Sequence, residues 1–270
     1  MLRAVPELAD QIVVVRGGGD IGSGVIWRLR RVGFPVIVTE LDRPLTIRRT
    51  VAFSTAVTEG SITIEGIEGV RVTDGAEALA VASTGSVPVL VSPGIPDVGA
   101  SVVVDARLAK RNLGTSRDQA PFVVALGPGF NAEDDCDAIV ETKRGHDLGR
   151  VIWHGPAIPN TGIPGVIGGE SGKRVIHAPL DGDLIWDTDF GDTVAMGQQL
   201  GCIVDTPIVS AITGTVRGLL AGGPVTEGLK IADVDPRFDP SAIMRISDKA
   251  LSVGGGVLEA ILVWLDSPKS

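Results

Sequence analysis

Tyrosine is absent from the 270 residues, and aromatic residues make up only 4%. A chain so poor in flat rings offers no stacking platform for nucleic-acid bases. Without Tyr, the Tyr-Lys arrangement of short-chain dehydrogenases is excluded. Cysteine is nearly as scarce, with Cys136 and Cys202 the only two. Two thiols build neither a disulfide framework nor a zinc set, and they fit a reducing compartment. Basic residues are outnumbered 24 to 33, for a net charge of −9. That balance repels nucleic acid and anionic membranes. A long hydrophobic run is missing too. The apolar stretch 257–265 is too short to cross a bilayer and contains Glu259. The first residues, MLRAVPELADQ, are polar where a signal peptide needs an apolar core. A cytoplasmic protein is expected, without nucleic acid or membrane as partner.

What is present is a full core and much glycine. Hydrophobic residues reach 44% and Gly numbers 36. Residues 12–15 form an apolar run ending at Arg16 and three glycines. Ile21, Val25, Leu29 and Val32 then recur at helical spacing. Gly33 ends that helix and Pro35 prevents its return. Residues 36–38 read as a second buried strand. This β-α-β order implies a parallel sheet. A second helix is expected over 44–57, with Pro44 in its first turn. Further strands are expected at 87–91, 102–105, 122–125, 138–141 and 151–153, and a helix at 75–83.

Residues 156–172 are dense in Gly and Pro and read as a linker between domains 1–155 and 173–270. Gly172-Lys173 suggests a phosphate loop, but that motif needs Gly at 167 and Ser or Thr at 174. Here stand Ile167 and Arg174. Beyond the linker, APLDGDL with GDTVAMGQQLGCIV is repeated as SAITGTV with GGPVTEGLKIADV. Gly182 matches Gly214, Leu184 Val216, Gly191 Gly222, Val194 Val225, and Gly197 Gly228. Such self-similarity marks a duplicated unit, read here as glycine-cornered β-hairpins. The pattern resembles biotinyl and lipoyl barrel-sandwich domains. Their modified Lys would stand in the turn 202–207, which contains none, so covalent biotin or lipoate is not expected. The tail reads as a glycine turn and a short helix whose Leu258, Ile261, Leu262 and Leu265 dock on a sheet. The expected fold is therefore an α/β Rossmann-like parallel-sheet N-terminal half. Its companion is a C-terminal all-β barrel-sandwich half, closed by that helix.

Gly17-Gly18-Gly19-Asp20-Ile21-Gly22 matches G-x-G-x-x-G between a strand and a helix. Its glycines permit a tight turn, close approach of a pyrophosphate and close helix-strand packing. The helix N-terminus offers N–H groups to an anion. Glu40, at the end of the second strand, stands where a carboxylate holds a ribose hydroxyl. A dinucleotide such as NAD is one ligand these features suit. Asp20 opposes this reading. It can cap the helix itself, and it would repel a diphosphate unless a cation intervened. Nucleotide binding and a purely structural turn both remain open.

Arg48 and Arg49, in the first turns of the expected second helix, could grip a phosphate or carboxylate. Asp105 and Arg107 end another strand. Ligands of open α/β sheets bind beyond such carboxyl ends. Gly127 and Glu141 follow later strands on the same rim. Glu141, Arg144 and His146 are the catalytic candidates, His146 because imidazole is the side chain suited to proton transfer near neutral pH. No His, Cys, Asp or Glu grouping has metal-ligand spacing, and no nucleophile elbow is present.

Several segments together resemble the YqeB-type accessory proteins of selenium-dependent molybdenum hydroxylase systems. They are RGGGDIGSG, RPLTIRRTVAFSTAV, VVDARLAKRN, ALGPGF, IVETKRGHDLGR, NTGIPG, the duplicated half, KIADVDPR, ISDKA and GGGVLEAI, from about residue 13 to 262. The resemblance implies a maturation factor that handles a molybdopterin-type cofactor and takes a molybdenum hydroxylase, or a second copy of itself, as partner. It implies a pathway and no particular reaction. More distantly, the first half resembles the XdhC-type maturation factors. A persulfide-carrier role would fall to Cys136 or Cys202. An NAD(P)-dependent oxidoreductase and a non-catalytic scaffold are the alternatives.

Overall fold

The computed structural model describes residues 7–160, 169 and 172–268. These form two compact units, the first of residues 7–44, 52–160 and 246–268, the second of 45–51, 169 and 172–245. The division departs from the expected boundaries in two places. The C-terminal segment belongs to the first unit rather than the β-half, and the short strap 45–51 belongs to the second. Most of the expected linker, with residues 161–165 of the NTGIPG motif, lies outside the described residues, as do residues 1–6 of the N-terminal segment.

The strands of the first unit are β1 (Val13–Arg16), β2 (Val36–Glu40), β3 (Ser61–Ile64), β4 (Ile67–Val72), β5 (Val87–Val91) and β6 (Val102–Asp105). They continue with β7 (Phe122–Leu126), β8 (Asn131–Ala132), β9 (Ala138–Val140), β10 (Val151–Ile152) and β11 (Gly155–Pro156). Its helices are α1 (Asp20–Arg31), α2 (Ala56–Glu59), α3 (Gly75–Ser83) and α4 (Asp248–Asp266). Nine strands make one sheet in the order β10-β9-β7-β6-β1-β2-β5-β4-β3. The inner strands are parallel, whereas the edges β3 and β10 run antiparallel to their neighbours. The inner strands are unbroken runs such as VVV and FVVAL because both faces are covered. Val13 and Val15 pack in one buried cluster with α1 and α4. Val14, Ile37 and Val103 pack in another with Ala78 of α3.

Helices α1 and α4 meet through small residues. A Cβ on Gly24 would stand 2.4 Å from the Ala250 carbonyl oxygen, and one on Gly254 would stand 2.5 Å from that of Gly24. The glycines at 254–256 therefore lie inside a continuous helix, not at the expected turn. Ile261 and Leu265 are buried as expected, while Leu262 is exposed. The expected helix over 44–57 is also replaced. Residues 49–51 and 53–55 form 3₁₀ turns, and only α2 is α-helical.

The second unit holds β12 (Val175–His177), β13 (Gly182–Trp186), β14 (Thr193–Val194), β15 (Gln199–Ile203), β16 (Thr206–Val209), β17 (Gly214–Leu219), β18 (Gly223–Val225) and β19 (Lys230–Asp235). They form two four-stranded antiparallel sheets, β12-β19-β17-β14 and β16-β15-β13-β18. The expected fold class is corrected accordingly. The first unit is a large mixed sheet closed by the C-terminal helix, not a parallel-sheet half. The second is a pair of antiparallel sheets, not a biotinyl/lipoyl barrel-sandwich half. Nor does each repeat fold as a self-contained hairpin. The middle strand of each copy pairs with the other copy, β14 with β17 and β18 with β13. Sequence similarity marks the equivalent strands but carries no information on which copy supplies a partner.

Candidate functional site

The sheet of the first unit has a switch point. From β1 the chain passes to β2, on to the edge strand β3 and back inward through β4 to β5 on one side, then crosses to β6 and continues through β7 and β9 on the other. Ligands of open α/β sheets bind outside the carboxyl ends at such a point. The glycine turn and the ends of β1 and β6 lie there.

Gly17 leaves β1 with φ +102° and donates its N–H to the Thr39 carbonyl at 2.9 Å. A Cβ there would press on the backbone of Ala106 and Arg107 at 3.1 Å, and one on Gly22 would stand 2.1 Å from the Gly17 carbonyl oxygen. Both positions thus exclude larger residues. Gly19 is the N-cap of α1, and a glycine has no side chain to cover the first N–H groups. Asp20 is the first helical residue and not the cap. Ile21 is buried beneath the turn.

Glu40 is brought to the loop, facing inward. Its carboxylate accepts from the Gly18 N–H at 2.6 Å and the Leu41 N–H at 3.0 Å. Burial raises its pKa, against the lowering by those two N–H groups. One oxygen holds the turn at Gly18 and the other the N–H of the adjacent Leu41, which weakens the case for a ribose hook. The Gly18 carbonyl accepts from Ser54 N–H at 2.9 Å and Ser23 Oγ at 3.0 Å, so the far side of the turn is fastened as well.

At the ends of β1 and β6, Arg16 and Asp105 stand directly opposite each other. Asp105 is 1% exposed and receives the Arg107 side chain through Nε at 3.0 Å and Nη2 at 2.5 Å. Thr115 Oγ1 donates to Asp105 at 2.6 Å and accepts from Arg107 at 2.9 Å and Arg16 at 3.3 Å. Asn112 orients Thr115 by accepting its N–H at 2.7 Å. Burial alone would raise the Asp105 carboxyl. The hydrogen bonds from Arg107 and Thr115, with the charge of Arg107, outweigh it and hold the group below the usual carboxylate range. The Arg16 guanidinium is lowered by burial and by the like charge of Arg107, against Asp105. Sequence reasoning placed Asp105 and Arg107 on this rim and missed Arg16, Asn112 and Thr115. A cation ending a fully buried strand was the signal available.

The remaining candidates are engaged elsewhere. Arg48, 3% exposed, donates to the Ala242 and Arg245 carbonyls at 3.0 and 2.9 Å, and Arg49 Nε to that of Leu219 at 3.0 Å, all within the second unit. The Glu141 carboxylate is buried and accepts from the N–H groups of Thr142, Lys143 and Ile158 at 2.7, 2.7 and 2.8 Å. Arg144 forms a two-pronged bond with Asp248 at 2.7 and 2.9 Å. His146 lies on the surface by a hollow that Arg150 and Glu259 also line. The Cys136 thiol is fully buried and pushed up to about 12 by burial and by Asp135 and Asp137, which makes it a poor sulfur carrier. Among the described residues, no group of three or more His, Cys, Asp or Glu is placed to hold a metal, and no helix is long and apolar enough to cross a membrane.

No family model matches the chain. It is 47% identical over 269 residues, 98% of its length, to the "Uncharacterized protein YqeB" of Escherichia coli (strain K12). Over the length it spans, the chain is similar to that relative. It covers about half, 50%, of that relative. Similar solved structures include "TcdA (CsdL)", 22% identical with a TM-score of 0.27 over 47% of this chain and 53% of that one. Another is the succinylglutamate desuccinylase/aspartoacylase of Rhodobacter sphaeroides, 16% identical with a TM-score of 0.27 over 85% and 86%. A third is the ectoine utilization protein EutE (DoeB) of Ruegeria pomeroyi, 16% identical with a TM-score of 0.24 over 84% and 58%.

Proposed function

We propose that this chain is a YqeB-type cytoplasmic maturation factor for a molybdenum hydroxylase, holding a nucleotide or phosphorylated pterin at the carboxyl rim of its large sheet. The observation that carries the binding part is the glycine turn. It opens α1 at a side-chain-free cap, beside the switch point between β1 and β6. The pathway rests on the family likeness of the segments from residue 13 to 262. Gly17, Gly18, Gly19 and Gly22 shape the turn, and Glu40 holds it closed from within. Asp20 contributes a negative charge at the helix start, so a bound phosphate sits off the helix axis or brings a cation. The partner is the hydroxylase, with self-association as a second contact.

Co-expression decides the pathway. A molybdenum hydroxylase produced with this chain should contain more molybdenum than the same enzyme produced without it. Equal metal content and no co-purification would overturn the proposal. A thermal-shift series with NAD, NADP, CTP, GTP and ATP tests the ligand. A compound at 100 times its Kd adds about 2.7 kcal/mol of stability. A shift with NAD(H) and turnover of a small substrate would replace this reading with an oxidoreductase. No shift with any compound would favour a scaffold.

A further inference from the structure

Arg16 is an unusual residue for its position. It ends the central strand β1, is 7% exposed, and directly precedes the glycine turn. Buried cations are normally paired with a carboxylate, because an uncompensated charge in the interior is costly. Among the described residues the Arg16 side chain makes one hydrogen bond, the long one to Thr115 Oγ1, and no salt bridge. The neighbouring carboxylate is already taken. Both oxygens of Asp105 accept from Arg107, and one also accepts from Thr115. The Thr115 oxygen is shared with Arg107. The cluster thus holds two guanidiniums against one carboxylate, an excess of one positive charge. Nε and Nη2 of Arg16 have no partner, yet they are not among the atoms sealed from solvent. They are open donors at the mouth of the switch point. Strand alternation puts Arg16, Thr39 and Asp105 on one face of β1, β2 and β6, that of Val14, Ile37 and Val103.

We infer that Arg16, steadied by Thr115 beside the Arg107–Asp105 pair, forms a phosphate-binding subsite at the carboxyl ends of β1 and β6. The open edge of the Arg16 guanidinium presents two N–H donors in a plane, a fork that matches two oxygens of one phosphate. A phosphate there also supplies the negative charge that the two guanidiniums lack. Asp105 is a positioning residue: it holds Arg107 back and leaves Arg16 free. The inference rests on reading the rim as a ligand site, not on which enzyme the protein serves.

The test uses the full chain and inorganic pyrophosphate. Calorimetric titration at low salt should show binding. Arg16→Gln should weaken it at least tenfold, and Arg16→Lys, which keeps the charge but loses the fork, by less. In the unmodified protein, pyrophosphate should slow phenylglyoxal labelling of Arg16, read by peptide mass spectrometry. This arm decides even where Arg16→Gln does not fold. No pyrophosphate binding, unchanged binding by a folded Arg16→Gln, unprotected labelling, or stronger protection by succinate than by pyrophosphate would each overturn the subsite. If Arg16→Gln loses pyrophosphate yet the hydroxylase matures equally with or without the chain, the subsite stands and the maturation role falls. If maturation needs the chain but pyrophosphate ignores Arg16, the reverse holds.

Discussion

Asp105 is the residue on which the carboxyl rim is assembled, and its ionisation has a definite stability consequence. Its carboxyl is held below the ordinary range by Arg107 and Thr115 despite its burial. A depressed carboxyl contributes stability above its unfolded-state pKa, and this is lost as pH falls through the folded-state pKa. Glu40 acts with the opposite sign. Its pKa is raised, so its contribution is present at low pH and lost as pH rises through the raised value. The acid limb of stability at this rim therefore belongs to Asp105. Asp105→Asn should destabilise the protein by about 3 kcal/mol at neutral pH, because Arg107 loses its charged partner. It should also flatten the fall in stability below pH 4. Urea unfolding at a series of pH values checks both. A variant with the same acid slope as the unmodified protein would place the titrating group elsewhere. None of this balance could be read from VVVDARLAK, since the pairing depends on Thr115 and Arg16 arriving from other segments.

At the scale of elements, what the sequence made legible depended on how local each signal is. Helix α3 was readable at Gly75–Ser83 because Asp74 caps it, accepting from Glu77 N–H at 2.9 Å. The end of α1 was readable because Gly33 takes φ +103° just beyond it. The hairpin β3-β4 was not identified, since its half-exposed strands lack the unbroken apolar runs of the inner ones. The expected helix over 44–57 failed because helical propensity was overridden by side chains and carbonyls that bind outside the segment. Helix α4 was mistaken at its glycines for a related reason. Glycine costs a helix about 1 kcal/mol relative to alanine, but here it admits the backbone of α1. Gly24 is the corresponding position on α1, and a Cβ there meets the Ala250 carbonyl at 2.4 Å. Gly24→Val should therefore cost about 3 kcal/mol through overpacking, although valine fits a helix better than glycine. Chemical denaturation followed by tryptophan fluorescence measures it. An unchanged midpoint would mean that the two helices separate at little cost.

At the scale of the whole molecule, the chain order is not the order of the units. The repeat was legible because its glycines recur at equivalent turns, Gly197 with φ +83° and Gly228 with φ +78°. The strap 45–51 was illegible as part of the second unit, because nothing in RPLTIRRTV marks partners some 170–200 residues away. The strap is stitched there by the Ile47 carbonyl, which accepts from Leu219 N–H at 2.8 Å, and by Thr50 Oγ1, which donates to the Ile243 carbonyl at 2.7 Å. The buried Arg48 guanidinium adds bonds to the Ala242 and Arg245 carbonyls. Arg48 is thus a structural tie of the second unit rather than a ligand residue, and its removal should act on that unit first. Trp186 reports on it, being the one tryptophan of the four in that unit, with its indole N–H donating to the Leu220 carbonyl at 2.8 Å. In a background where Trp27, Trp153 and Trp264 are Phe, Arg48→Ala should lower the unfolding free energy seen at Trp186 by about 3 kcal/mol, the worth of two bonds from a charged donor. Pyrophosphate affinity should not change. An unaltered Trp186 transition with weakened pyrophosphate binding would return Arg48 to the ligand site.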